Sequence, residues 1–347
     1  MRAIVYAEKG PSGVLRLAER PVPVPGPDQV LVRMVRAGVN PTDWKSRSGS
    51  SSAAFSPFPE VTPGQDGAGF VEAVGSDVPY LAAGDRALAA GDRVWLYLGQ
   101  HGTPHGTAAE YCVLDWRRAV RLPAGASFDL GACLGVPAIT AHRALTSGRS
   151  ASRLGPGALA GQVVLVHGGA GAVGNVAIQL AAWSGATVLS TVSSSAKADL
   201  ALAAGAHHTV NYRTQDAAVE LGRLAPDGVD LIVEVSPAVN NALDLAVARN
   251  GATIAIYANN GGDSFPVSVR STFARNLRYQ FLLLYTLSPE LLAAAASDVT
   301  AAVAAGALRA GSEAGLPLHH YPLAETAAAH DAVEDGATGK VLIDIAD

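Results

Sequence analysis

The chain has 347 residues, of which 49% are apolar and 16% charged, with a formal net charge of −5. This is the composition of a soluble globular protein and lies far from the low-hydrophobicity, high-charge regime of disorder. The acidic balance gives no general electrostatic reason to bind nucleic acid or an anionic membrane; a small-molecule partner is expected instead.

No apolar run approaches the ~20 residues of a spanning helix, and "MRAIVYAEKG" lacks the apolar core of a signal peptide. The expected location is therefore the cytoplasm. Single cores stop growing near ~250 residues, so this length predicts two domains.

From residue 1 to about 125 the chain reads as short β-rich runs broken by Gly and Pro: "RAIVYA", "QVLVRMVRAGV", "GFVEAV", "DRVWLYL" and "AAEYCVL". "PVPVPGPDQ" is a connector, and "SGSSSAAFSPFPEVTPG" reads as a Pro-punctuated loop. "AAGDR" occurs at 82–86 and again at 89–93. That is too short for a repeat architecture and reads as a lengthened turn.

Cys112 and Cys133 form no C-x-x-C pattern and are expected to be buried thiols rather than zinc ligands.

From about residue 130 strands and helices alternate. "QVVLVH", "TVLST", "HHTV", "VDLIVEV" and "ATIAIY" are continuous apolar runs suited to a parallel sheet covered on both faces. In "AVGNVAIQLAAWSG", Val173, Val176, Ala177, Leu180 and Ala181 recur at helical spacing, and Gly185 stops the helix. The pattern predicts a doubly wound α/β unit over 131–277. The closing segment, with "YQFLLLYTL" and "GKVLIDIA", returns to strand character and is expected to rejoin the first domain, giving that domain residues 1–130 and 278–347.

"VVLVHGGAGAVG" places Gly169-x-Gly171-x-x-Gly174 directly after a strand and before a helix. In a dinucleotide fold the first Gly makes the tight turn and the second lets backbone N–H groups approach the pyrophosphate. The third allows close helix–strand packing, and the helix N-terminus faces the anion.

A preference for NAD would place Asp or Glu about twenty residues on. Here the stretch is "TVSSSAKAD", in which Ser193, Ser194 and Ser195 offer neutral donors and Lys197 a cation. That set suits a 2′-phosphate and predicts NADPH. The serines also suit the cap of the next helix.

These motifs, with "AGVNPTDWKSRSG", "PGQDGAGFVEAVG", "GTAAEY", "PAITAHRAL", "GAHHTVNY" and "PLAETAAAHDAVEDGATGKVLI" in order along the chain, resemble the quinone oxidoreductase (zeta-crystallin-like) branch of the medium-chain dehydrogenases/reductases. The resemblance implies a GroES-like β-rich catalytic domain joined to a Rossmann domain.

Zinc-dependent relatives bind the metal through a Cys and a Gly-His-Glu segment; this chain has Asn40 and Gly64-Gln65-Asp66 there. Asn and Gln are poor zinc ligands, so no metal is expected. Without that Lewis acid, alcohol chemistry is disfavoured. His101 and His105 sit in a Gly/Pro loop, and the pairs His207-His208 and His319-His320 point to opposite strand faces. All six are expected to be structural or solvated.

The resemblance further implies positions for the cofactor. Asn40 lies near the nicotinamide ribose and Thr140 beside the nicotinamide. Ala170, Gly171, Ala172 and Val173 lie under the pyrophosphate, and Lys197 and Tyr212 at the 2′-phosphate. Tyr257 and Ala258 flank the nicotinamide, with Leu283 near its carboxamide.

Relatives often carry a Tyr where this chain has Lys45 and another where it has Val61, and enoyl-thioester reductases place a catalytic Tyr around Ser51. Lys45 and Asn40 remain the candidate donors to a developing oxyanion, with the final proton from solvent. Trp44 and Lys45 are candidates to line the substrate cleft.

The implied reaction is hydride transfer from NADPH, bound between the domains, to a quinone or an α,β-unsaturated carbonyl. Enoyl-thioester or biosynthetic enone reduction is the alternative within the class. An RNA-binding or structural role, as in zeta-crystallins, is the alternative outside it. A homodimer formed by sheet continuation through "ATIAIYA" and "YQFLLLYTL" is also expected, since an uncharged edge strand invites pairing.

Overall fold

A computed structural model of the chain describes residues 1–50, 58–79 and 88–346. The first "AAGDR" copy at 82–86 and the position of Ser51 lie outside these residues, so the lengthened turn and the missing Tyr belong to the sequence reading alone.

The strands, in chain order, are β1 (Arg2–Val5), β2 (Arg16–Glu19), β3 (Gln29–Val39), β4 (Asp66–Val74), β5 (Arg93–Leu96), β6 (Tyr111–Asp115), β7 (Ala119–Arg121), β8 (Val163–His167), β9 (Thr187–Val192), β10 (His208–Asn211), β11 (Val229–Glu234), β12 (Ala248–Ile256), β13 (Arg278–Phe281), β14 (Leu318–Pro322) and β15 (Lys340–Asp344). The α-helices are α1 (Pro41–Ser48), α2 (Phe128–Leu145), α3 (Ala172–Trp183), α4 (Ser195–Ala203), α5 (Ala217–Leu224), α6 (Pro237–Val247), α7 (Val269–Phe273), α8 (Pro289–Ala304) and α9 (Thr326–Glu334). None among the described residues is long and apolar enough to cross a membrane.

The chain divides into Met1–Val136 with Leu318–Asp347, and Pro137–Pro317. In the first unit the sheet runs β14-β15-β3-β4-β5-β7, with β6 also paired to β3. Strand β3 is the spine: it pairs antiparallel with β4, β6 and β15. Its Val30, Val32 and Met34 are buried with Val94, Leu96, Leu114, Val341 and Ile343. Cys112 and Cys133 are free and buried, and burial pushes both thiols up to about 12, which leaves them unreactive.

In the second unit the sheet runs β10-β9-β8-β11-β12-β13, parallel throughout. This is the doubly wound order in which the direction of winding reverses between the first strand, β8, and β11. Leu165, Leu189, Ile232 and Ile254 fill its core. These strands read as continuous apolar runs because both faces of the sheet are covered.

The boundaries differ from the sequence expectation at both joins. The Rossmann unit begins at 137 rather than 131, within α2. It also keeps residues 278–317, because β13 pairs in parallel register with β12, Thr253 opposite Arg278 and Ile256 opposite Phe281. Only 318–347 return to the β-rich unit. "YQFLLLYTL" is moreover not one strand: it leaves the ladder after Phe281 and turns through a 3-10 segment, Leu284–Thr286, before Ser288 caps α8.

Candidate functional site

The phosphate loop lies between β8 and α3. Gly168, just ahead of the motif glycines, makes the tight turn: its φ of +69° is left-handed, where a side chain would strain the backbone. Gly174 is fixed by close packing, since a Cβ there would meet the Gly168 carbonyl oxygen at 2.3 Å. A Cβ at Gly171 would meet only that same oxygen, at 3.4 Å, so the surface over the loop is open. Gly171 is the N-cap of α3. The N–H groups of Ala172, Val173 and Gly174 open the helix without intrahelical partners, as an anion site requires. Ala170 is buried beneath the turn.

The candidate 2′-phosphate residues gather at the carboxyl ends of β9 and β10. Asn211 stands opposite Val192 in the parallel register, and the Tyr212 N–H donates to the Val192 carbonyl at 3.1 Å. Ser193 follows directly on Val192. Ser194 is the N-cap of α4 and accepts from the Lys197 N–H at 3.3 Å. Lys197 is half-buried and Tyr212 is 51% exposed. The capping and anion-binding readings of the serines thus describe one place, since the helix start is itself a donor surface.

At the ends of β12 and β13, Tyr257, Ala258 and Leu283 line a cavity of about 410 Å³ with Phe265, Phe281 and Thr286. Tyr257 is tied to β11 by its N–H, which donates to the Glu234 carbonyl at 3.1 Å. Thr140 is buried in α2.

In the β-rich unit, Asn40 ends the segment leading into α1, and its backbone N–H donates to Asp43 Oδ2 at 2.7 Å. Asn40, expected as a donor to a developing oxyanion, has its side chain in an internal network. The Asn40 side chain turns inward, Nδ2 donating to Asp66 Oδ2 at 2.7 Å and Oδ1 accepting from Lys340 Nζ at 2.6 Å. Lys340 also lies 3.3 Å from Asp66 Oδ2, and the Val136 N–H donates to Asp66 Oδ1 at 2.7 Å. The residues standing at two of the zinc-ligand positions of the related enzymes therefore bond to each other and to a buried ammonium.

Burial raises the Asp66 carboxyl, with Lys340 working against the rise. Burial and then the Asp66 charge push Asp43 up to about 7. Gln65 donates weakly to Gln100, at 3.3 Å. Lys45 is half-buried in α1, its ammonium 5.7 Å from the Trp44 ring centre. Of the two candidate donors, Lys45 is the one whose head group is not drawn into this network.

Among the described residues, one group of His, Cys, Asp or Glu side chains lies close enough together to hold an ion: His167, Glu234 and Asp244. His319 bonds the Thr338 carbonyl, His320 bonds Asp344, and His207 accepts the Val188 N–H. Each of these three is held by a hydrogen bond within the chain.

Comparison with known proteins places residues 26–124 in the alcohol dehydrogenase GroES-like domain family and 172–300 in the zinc-binding dehydrogenase family. The human protein named quinone oxidoreductase is 31% identical over 99% of this chain and 97% of its own length. The chain belongs to the quinone oxidoreductase branch of the medium-chain dehydrogenases/reductases.

A mycobacterial protein solved in complex with NADPH matches with a TM-score of 0.81 at 29% identity, covering 99% of this chain and 100% of that one. The tomato 2-methylene-furan-3-one reductase is 36% identical over 62% of this chain and 53% of its own length. This quinone oxidoreductase-branch chain is thus an oxidoreductase built from a GroES-like and a Rossmann domain.

Sequence reading missed Lys340, His167, Glu234 and Asp244. The available signal was a charged residue inside an apolar strand, as in "GKVLI" and "LIVEV". A buried charge stays only where it is paired.

For Lys340→Met, the expected loss is about 3–5 kcal/mol of unfolding free energy, because Asp66 is left buried without its cation. Adding Asp66→Asn should restore part of it. Urea midpoints of the two variants check this, and an unchanged midpoint in Lys340→Met contradicts it.

Proposed function

We propose that the chain is an NADPH-dependent reductase that acts without zinc on a quinone or another α,β-unsaturated carbonyl acceptor in the cytoplasm. The observation that carries the cofactor assignment is the convergence of Ser193, Ser194, Lys197 and Tyr212 at the ends of β9 and β10, beyond an open glycine loop. No carboxylate stands where β9 ends to claim a ribose hydroxyl. The mycobacterial relative's complex with NADPH supports the same reading. The human relative's name supports a quinone acceptor, and the tomato relative's name favours an enone as the second reading.

Bound at this loop, the cofactor supplies the hydride. The chain's own residues do the rest. Ala172, Val173 and Gly174 offer N–H groups to the pyrophosphate, and the cavity of Tyr257, Ala258 and Leu283 holds the nicotinamide end. Lys45 offers its ammonium to the oxygen on which negative charge develops, which raises the rate only insofar as that contact strengthens in the transition state. Asn40 acts one step back, holding Asp66 and Lys340 and starting α1, which carries Lys45. The Lys340 ammonium bonds Asn40 and Asp66, which stand at zinc-ligand positions of the family pattern, and this supports zinc independence.

A charge-assisted contact to the 2′-phosphate contributes about 1.5–3 kcal/mol, so NADPH should bind roughly ten- to a hundredfold more tightly than NADH. Lys197→Ala should remove most of that preference while leaving NADH affinity nearly unchanged. Fluorescence titration of both cofactors decides it: equal dissociation constants in the unmutated chain would sink the assignment. Cofactor consumption with quinones, cyclic enones and enoyl thioesters then ranks the acceptors.

A homodimer is proposed on the edge strand β13. Among the described residues its one partner in the sheet is β12, and Phe281 is 63% exposed. Pairing of two such edges about a two-fold axis satisfies both and stops growth. Light scattering at low micromolar concentration should give twice the chain mass; a fully active monomer there overturns the dimer.

A further inference from the structure

Strands β8 and β11 flank the point where the winding of the sheet reverses, the place where doubly wound sheets receive ligands. Each ends in an ionisable residue, His167 and Glu234, and the two side chains are 2% and 0% exposed. Asp244 of α6, 1% exposed, completes the group. His167 Nε2 lies 2.9 Å from Asp244 Oδ1 and 3.4 Å from Glu234 Oε2, while Nδ1 lies 2.7 Å from Thr191 Oγ1 on β9. Glu234 Oε1 accepts from the Ser236 N–H and from Asn240 Nδ2. Glu234 Oε2 and Asp244 Oδ2 are buried with no hydrogen-bond partner.

Two carboxylates and one imidazolium carry a net charge of −1, in a place water does not reach and directly behind the phosphate loop. Uncompensated charge there is expensive. One added proton, held between the two carboxyls, whose ligand oxygens approach within 4.8 Å, makes one acid a donor to the other and brings the group to neutrality.

We propose that His167, Glu234 and Asp244 form a buried proton-holding brace that positions the phosphate loop, and that loss of its shared proton weakens dinucleotide binding. This rests on reading that loop as the cofactor site. His167 is bonded in the chain to Gly168, the turn residue of the loop, so the imidazole fixes where the loop begins. With the proton gone, the carboxylates repel each other and a negative charge lies under the pyrophosphate.

Burial first, and then the Asp244 carboxylate against the His167 charge, push Glu234 up to about 7. Burial works against the imidazolium, yet the Asp244 hydrogen bond and the two carboxylate charges raise His167. The other groups facing the cluster are Thr191 from β9, Ser236 and Asn240 at the start of α6, Tyr257 after β12 and Tyr279 on β13. Both tyrosine hydroxyls are raised by burial and then by Glu234 or Asp244 respectively, so neither offers a competing charge near neutral pH.

The sign follows from the raised carboxyl. A folded-state value above the unfolded one means that stability and loop order are full at low pH and are lost as pH rises through about 7.

The experiment measures dissociation constants for NADPH and NADH from about pH 6 to about pH 9. NADH lacks the 2′-phosphate, whose own ionisation near ~6 would otherwise confuse the profile. Both constants should rise on the order of tenfold over that range. Glu234→Gln, whose amide N–H can donate to Asp244 as the protonated acid would, should flatten both profiles. Asp244→Asn should do the same and serves if the first variant does not fold. The thermal midpoint of the cofactor-free chain should fall with rising pH, and fall less in either variant.

A flat profile in the unmutated chain overturns the brace, as does an unchanged slope in the variants. So does one divalent ion per chain by elemental analysis that His167→Ala removes. If neither cofactor binds at any pH, the cofactor reading fails instead, and the cofactor-free melting profile still decides whether the proton is held.

Discussion

Lys340 carries an ammonium to a position 2% exposed, and the β-rich unit is arranged around the need to match it. Leaving such a charge unpaired costs several kcal/mol. Asp66 supplies the countercharge from β4 and Asn40 supplies the oxygen from the end of β3. The strand identities follow: β3 stands between β15, which bears Lys340, and β4, which bears Asp66. Two glycines border the same group. A Cβ at Gly135 would sit 2.1 Å from Asp66 Oδ1, so that charged side chain already fills the space; one at Gly38 would sit 2.1 Å from the Ala132 carbonyl oxygen and 2.9 Å from Lys340 Cε, so there the backbone excludes it first.

The Rossmann unit solves a different problem, that of leaving donors unused. Most buried N–H groups in a protein are paired, and a phosphate site must instead hold several open. Gly168 turns the chain sharply enough that α3 starts with its N–H groups facing outward, and Gly174 lets that helix lie against the turn. The order of strands then places β9 and β10 beside the loop on one side and β11 and β12 on the other. The candidate 2′-phosphate residues and the candidate nicotinamide cavity accordingly arise from opposite halves of one sheet.

Those features were legible in the sequence to very different degrees. The glycine loop, the apolar strands on either side of it and the serine-lysine stretch could be read because each is local: every residue that matters lies within a few positions of the next. The boundary at 278 could not be read the same way. "YQFLLLYTL" has the apolar character of a strand in either unit, and its assignment depends on pairing with residues 253–256, a contact that composition does not encode. Asn40 was found by position in the family pattern, but the direction of its amide was set by Lys340, three hundred residues away. His167 was legible only as the end of a strand, since its partners come from "LIVEV" and from the middle of a helix.

The two units, though unlike in fold, reach the same charge arithmetic. Asp43, Asp66 and Lys340 are two carboxyls and one cation; so are Glu234, Asp244 and His167. In each, one carboxyl is pushed up to about 7, Asp43 by burial and the Asp66 charge, Glu234 by burial and the Asp244 carboxylate. The difference lies in which donors meet the acids. The Asn40 amide donates to Asp66 and accepts from Lys340, which itself lies 3.3 Å from Asp66, and the Asn40 backbone N–H holds Asp43, so each carboxyl in that cluster has a donor of its own. In the Rossmann cluster the inner oxygens have none. An ammonium on a flexible stem can be met by an amide that divides the load, whereas an imidazole at a strand end is fixed and leaves its partners to share a proton. The first arrangement gives every carboxyl a donor, and the second, behind the glycine-rich loop, leaves one oxygen of each carboxyl without one.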